Sequence, residues 1–264
     1  MIRLVGEDTF PLLLKYCENS PIGLGICGTA KSYGLAVPFA EYWLQWDNEE
    51  SITGAAARLD SSLHVLMGEK SCKEEMYSFL SMLPGIKRMI SLPMEGVEAY
   101  GWKMSSQGRL YLLRTPPSKA LELEREKKIF PVETAAELFP LLTVGGQGLD
   151  SHKPDDQAFY TDLSHRLRHG QLYACGIRQG ERLICAGMLT AQAGSLSLIG
   201  GLATVEAFRR QGLAGSVVRH LCKRAVENGR LPCLLARPEV FRFYERLGFT
   251  QAGQWMEYQR TETG

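Results

Sequence analysis

Arg209-Arg210-Gln211-Gly212-Leu213-Ala214-Gly215 is the stretch of this 264-residue chain whose residue types and spacing point most directly to chemistry. It follows a strand-like run and opens a strongly periodic helix. The first N–H groups of a helix have no partner within it, and the aligned peptide dipoles leave partial positive charge there. A phosphate fits such a place. Gly212 and Gly215 let it approach, and the arginines add charge. The helix repeats apolar residues at Leu213, Ala214, Val217, Val218, Leu221, Cys222, Ala225 and Val226, and Asn228-Gly229 supplies its stop. Neither the Gly-Lys-Ser/Thr ending of a Walker loop nor the G-x-G-x-x-G dinucleotide spacing occurs in it. Upstream, Gly200-Gly201 stands inside an otherwise good strand, where paired glycines mark a bulge or a close backbone approach.

Arg209-x-x-Gly212-x-Ala214 resembles the Q/R-x-x-G-x-G/A signature of the GNAT acetyltransferase superfamily. Leu202 and Thr204 stand where that family has the end of its fourth strand, and Phe208 matches an aromatic that often precedes the arginine. Further on, Phe243-Tyr244-Glu245-Arg246-Leu247-Gly248-Phe249 resembles the family's second signature. The resemblance implies an α/β (α+β) fold: a mixed, mostly antiparallel twisted sheet with flanking helices. It also implies an N-acetyltransferase with acetyl-CoA as co-substrate, a primary amine as acceptor and no metal. Arg209, Arg210, Gln211, Gly212, Leu213, Ala214 and Gly215 would hold the pyrophosphate. Freed backbone at Leu202, Ala203 and Thr204 would pair with pantetheine, with Phe241 packing against it. Tyr244 would donate a proton to the departing thiolate. The chain departs from the family at Arg237, which stands where many members have asparagine, seven residues before the tyrosine. An arginine there suits a phosphate. A non-catalytic acyl-CoA sensor shares every binding feature, and a structural interaction module is a third reading.

Other candidates carry less. Glu206 is a candidate base, with a solvated surface position as the competing reading. His165 and His169 sit one helical turn apart without a third ligand. Arg219, Lys223, Arg224 and Arg230 read as a solvated face, since the formal net charge is only +1 and no aromatics interleave them. Trp43, Trp46 and Tyr42 read as core. No apolar run is long enough to span a bilayer, and Met1 to Glu7 is too quickly charged for a signal peptide. Cytoplasmic residence, no nucleic-acid or membrane partner, and a monomer or homodimer are the expectations. Seven cysteines without a C-x-x-C pair read as buried thiols.

The elements that must position the loop follow from turn signals. Val132 to Leu142 and Asp155 to Arg168 read as helices. Leu172 to Arg178, Arg182 to Thr190 and Ser195 to Thr204 read as an antiparallel meander joined at Gly180 and Gly194. Pro232 to Ala236 reads as a strand, Pro238 to Leu247 as a helix, and Phe249 to Arg260 as one or two strands. Upstream, Phe39 to Trp46 reads as a helix, Ser51 to Leu59 and Ser62 to Met67 as a hairpin, and Cys72 to Met82 as a helix. Gly85 to Leu92, Val97 to Met104 and Arg109 to Arg114 read as strands. Aligning Phe39–Gly68 on Phe159–Gly187 makes the first half a degenerate copy of the second, with Gly68 to Cys72 in place of the phosphate loop. The expected organisation is a degenerate domain at 1–115, a charged connector at 116–130 and an acetyltransferase domain at 131–264. The loop from Gly145 to Pro154 is expected beside the acceptor.

Overall fold

A computed structural model describes residues 1–114, 128–144 and 156–261. Most of the connector, the Gly145–Pro154 loop and Asp155 lie outside the described residues. The chain forms two compact units: Met1–Leu110 together with the end of the chain from Ala252, and Tyr111–Gln251. This differs from the partition expected at 1–115 and 131–264. The last strand of the chain belongs to the first unit, and the segment just before the connector belongs to the second.

The first half runs β1 (Ile2–Leu4), α1 (Phe10–Cys17), α2 (Pro21–Tyr33), β2 (Ala40–Trp46), β3 (Ile52–Leu59), β4 (Ser62–Met67), α3 (Lys73–Met82), β5 (Arg88–Ser91), a 3-10 turn (Val97–Tyr100) and β6 (Trp102–Leu112). The second runs β7 (Phe130–Pro131), α4 (Ala135–Val144), α5 (Asp156–Arg168), β8 (Tyr173–Gln179), β9 (Arg182–Ala193), β10 (Leu196–Thr204), α6 (Leu213–Glu227), β11 (Leu231–Ala236), α7 (Phe241–Arg246) and β12 (Thr250–Arg260). The order repeats element for element. Pairing repeats too: β1 to β4 are antiparallel neighbours and β5 joins β4 in parallel. Likewise β7 to β10 are antiparallel and β11 joins β10 in parallel.

That repeat corrects the expected alignment. The expected helix over Phe39–Trp46 is instead the strand β2 (Ala40–Trp46), equivalent to β8. Tyr42, Trp43, Leu44 and Gln45 are buried in succession, and a strand covered on both faces loses the alternation that would have marked it. The two strands expected between Val97 and Arg114 are a short turn, bounded by Gly96 and Gly101 at φ +81° each, and one long strand, β6. Its polar middle stays in the sheet: Ser105 Oγ donates to the Glu257 carbonyl at 3.2 Å. Phe249–Arg260 is a single strand, β12, whose Met256–Gln259 pair antiparallel with Arg88–Ser91.

In the second unit, Gly180 (φ +60°) and Gly194 (φ +47°) make the two hairpin turns of the meander. The sheet is covered on both faces. One face packs on α6 through Val217, Val218, Leu221 and Ala225, and the other on α4 and α5 through Leu138, Leu142 and Leu163. Six of the seven cysteines are buried, and Cys72 is exposed ahead of α3.

Candidate acyl-CoA site

The parallel pairing of β10 with β11 ends at Ile199–Leu234. The next residues of β10 bulge against β9, since Gly200 faces Met188 and Ala203 faces Ala186. Three steps on one strand oppose two on the other, which bends β10 away. Gly201 makes the bend at φ +57°, and a Cβ there would sit 2.0 Å from Met188 Cε. Only glycine meets both conditions. Val205 N–H donates to the Ile184 carbonyl at 2.9 Å, so by alternation the Ala203 peptide faces β9 while those of Leu202 and Thr204 face the side β11 has left. Ala203, its peptide turned to β9, is thus off the open edge, and its side chain is buried on the α4 side.

The chain then crosses a short 3-10 turn, Glu206–Phe208, into the loop. Arg209 is extended, Arg210 is left-handed at φ +60°, and Gly212 is left-handed at φ +77° as the N-cap of α6. No side chain caps the helix, and its first turn holds no acidic residue. The leading N–H groups therefore stay available, in a field that favours an anion. Arg209 Nε donates to the Thr204 carbonyl at 3.2 Å, tying the loop to the end of β10. Arg219 folds back along α6: a Cβ placed on Gly215 would lie 3.6 Å from its guanidinium. Arg219, expected on a solvated face, thus brings a third positive charge to the helix start. Its i+4 spacing from Gly215 was the available signal.

Leu202, Phe208, Leu213, Ala214, Phe241 and Tyr244 all meet one apolar cluster. Tyr244, only 8% exposed, lies among the rings of Phe243, Phe249 and Tyr111 at 4.9, 5.8 and 6.4 Å between centroids. Burial, with the Cys222 thiol adding to it, pushes its phenol up to about 12. Its hydroxyl makes no hydrogen bond among the described residues, and it is not one of the polar atoms sealed from solvent. Arg237 caps the turn after β11, half-buried, its carbonyl accepting from Val240 N–H at 3.1 Å. Glu206 and Gln211 are exposed, as is Arg210. The rings of His165 and His169 lie 4.4 Å apart between centroids, tilted at 47°, and among the described residues no three His, Cys, Asp or Glu side chains are grouped to hold a metal.

Residues 174–259 match the family model described as FR47-like protein. Among solved structures, a GNAT-family acetyltransferase from Colwellia psychrerythraea covers 99% of this chain and 100% of its own, at 15% identity and a TM-score of 0.58. A tandem GNAT protein from the clavulanic acid biosynthesis pathway covers 98% of each chain at 13% identity and 0.60. A Drosophila protein covers 100% and 99% at 12% identity and 0.71. No curated protein sequence matches. The chain has the tandem GNAT fold.

In that fold the second unit holds the complete loop, and the first holds a degenerate one. At the place of the GNAT loop, the Thr53 carbonyl accepts from Gly68 N–H at 2.8 Å, from Tyr16 Oη at 2.6 Å and from Ser71 Oγ. Tyr16 of α1 and Ser71 of the loop thus both bond to the Thr53 carbonyl beside Gly68. Glu74 and Glu75 then occupy the first turn of α3, where their charge repels an anion. Among the described residues no helix is long and apolar enough to cross a membrane.

Proposed function

We propose that the second unit binds acetyl-CoA and transfers its acetyl group to a primary amine by direct attack on the thioester. The observation that carries this is one continuous stretch, Ile199 to Gly215: a strand whose edge is freed by the bulge at Gly201 runs straight into an anion-binding helix start. A pantetheine arm has amides that suit the open peptides of Leu202 and Thr204, and a diphosphate suits the N–H groups of Leu213, Ala214 and Gly215 beside Arg209, Arg210 and Arg219. Arg237 would answer a further phosphate. A backbone N–H on the freed edge would polarise the thioester carbonyl as negative charge develops on its oxygen. Tyr244 would supply a hydrogen bond to the leaving sulfur.

Thermal-shift titration tests the binding half. Acetyl-CoA at 100 times its Kd adds about 2.7 kcal/mol to stability, and inorganic phosphate at equal concentration should add far less. Release of free thiol in the presence of an amine panel tests the transfer half. Absence of any shift with acetyl-CoA would sink both.

One observation favours a second reading, an acyl-CoA binder without turnover: Glu206, the candidate base, is exposed, and Tyr244 is buried among aromatic rings. Thiol release that depends on added amine would remove that reading.

A further inference from the structure

Tyr111 stands before the connector, 134 positions ahead of Glu245, yet it belongs to the second unit. It is fully buried. Its Oη donates to Glu245 Oε1 at 2.9 Å, and its ring lies 6.0 Å from that of Phe241 and 6.4 Å from that of Tyr244. One side chain therefore touches three residues of α7. That helix has six residues and no side-chain cap, far below the length at which a helix holds itself together. The strand presenting Tyr111 is itself fixed on two sides: Leu113 N–H donates to the Pro232 carbonyl at 2.9 Å, and Thr250 Oγ1 donates to the Leu112 carbonyl at 3.2 Å.

The first unit uses the same device in mirror order. Tyr258, from the last strand of the chain, is 2% exposed and accepts from Met94 N–H at 2.9 Å, in the segment that follows β5. Each half thus ends in a strand whose buried tyrosine pins the stretch between the last two strands of the other half's repeat.

We propose that Tyr111 is a positioning residue for the transfer reaction: its hydrogen bond to Glu245 locks α7 and so holds the Tyr244 hydroxyl toward the departing sulfur. The inference rests on the acetyl-transfer reading. It makes the first half of the sequence a contributor to the second unit's site, although every recognised motif lies in the second half.

The test uses the full-length chain. Tyr111→Phe keeps the ring and removes the hydroxyl alone. Transfer kinetics should show kcat falling about ten-fold, as for a barrier raised by roughly one decade, with the KM for acetyl-CoA within about two-fold. Hydrogen exchange across residues 241–248 should speed. Glu245→Ala should match it on both readouts, and Glu245→Gln, which keeps an acceptor oxygen, should restore most of the loss. The double variant Tyr111→Phe with Glu245→Ala should be no worse than either alone, because both remove one bond. A loss shared equally between kcat and KM, or wild-type exchange and kcat in Tyr111→Phe, overturns the proposal. Exchange needs no turnover, so the two readings fail separately. Faster exchange in a chain whose wild type transfers nothing keeps the lock and rejects the transfer reading. Unchanged exchange in an active enzyme rejects the lock.

Discussion

Arg209 reaches back from the loop ahead of α6 to hydrogen-bond the carbonyl of Thr204 at 3.2 Å. The bond uses Nε of the planar fork. On the proposed reading the same guanidinium would both hold the end of β10 and meet the diphosphate. A lysine carries the same charge on a point-like ammonium and cannot do both. Arg209→Lys should weaken acetyl-CoA binding about ten-fold by calorimetry, a figure in keeping with loss of one charge-assisted hydrogen bond. Arg209→Ala should cost more. Equal affinity in the lysine variant would show that charge alone matters.

Gly201 and Gly215 should separate folding from binding. A methyl on Gly201 meets Met188 Cε and sits on a left-handed backbone, so Gly201→Ala should destabilise by about 2–5 kcal/mol in urea, the sum of a left-handed penalty and overpacking. Gly215 has an ordinary helical backbone, and the nearest atoms to its added methyl would be those of the Arg219 guanidinium, at van der Waals distance. Gly215→Ala should therefore fold as well as wild type or better, by up to about 1 kcal/mol. It should nonetheless bind acetyl-CoA less tightly, because the space it fills is the ligand's. Unchanged affinity in Gly215→Ala would place the diphosphate elsewhere.

The sequence disclosed what is local. The Arg209–Gly215 loop, the α6 stripe and the hairpin turns at Gly180 and Gly194 each declare themselves within a few residues, by period or by a backbone that favours glycine. The strand at Ala40–Trp46 did not, because both of its faces are covered and its apolar run reads equally as helix or strand. The exchange of terminal strands was invisible for a different reason. A residue such as Tyr111 carries a strand pattern but no record of its partner 134 positions away. The fold-back of Arg219 toward Gly215 was not legible either, because helical periodicity gives the face of a side chain and not the direction in which a long one folds.

Stability should fall on the alkaline side. Burial pushes the phenols of Tyr16, Tyr77 and Tyr244 up to about 12. It raises the Cys27 thiol to about 11 and those of Cys175, Cys222 and Cys233 to about 12. Each group holds its proton more tightly in the folded chain than in the unfolded one. Below the unfolded values, about 9 for cysteine and 10 for tyrosine, both states are protonated and the full stability is present. As pH rises toward the folded values the unfolded chain ionises first and gains. The urea midpoint should therefore hold from pH 7 to about 9 and drop between there and about 12. A midpoint unchanged at pH 10.5 would contradict the burial of these groups.

Tyr244 should act through a hydrogen bond and not as a full acid. A free thiol titrates near 8.5, so moving a proton from a phenol at about 12 to a thiolate is uphill by roughly 3.5 units, about 5 kcal/mol. The ammonium formed when an amine attacks is a cheaper source of that proton. Tyr244→Phe should lower kcat by about ten-fold, the scale of one hydrogen bond made in the transition state. The pH profile of kcat should show no descending limb from Tyr244 below pH 10, and its shape should survive the substitution. A limb near neutrality that vanishes in Tyr244→Phe would restore the acid role.

Cutting the chain at its motifs should fail where cutting it elsewhere would not be tried. A fragment beginning at Lys128 contains both GNAT signatures and all of β7 to β12. It lacks Tyr111 and Leu113, which are 0% and 2% exposed in the cluster that also holds Tyr244. It also keeps β12 without β5, whose Arg88–Ser91 pair with Met256–Gln259, leaving Trp255 and Tyr258, now 5% and 2% exposed, with nothing to cover them. Two lost core side chains at about 2–5 kcal/mol each would consume most of the 5–15 kcal/mol that holds a typical domain. The fragment should aggregate or bind a hydrophobic dye, and acetyl-CoA should not shift its melting. A monodisperse fragment that melts cooperatively and binds acetyl-CoA with full-length affinity would mean that the exchanged strands are dispensable to the site.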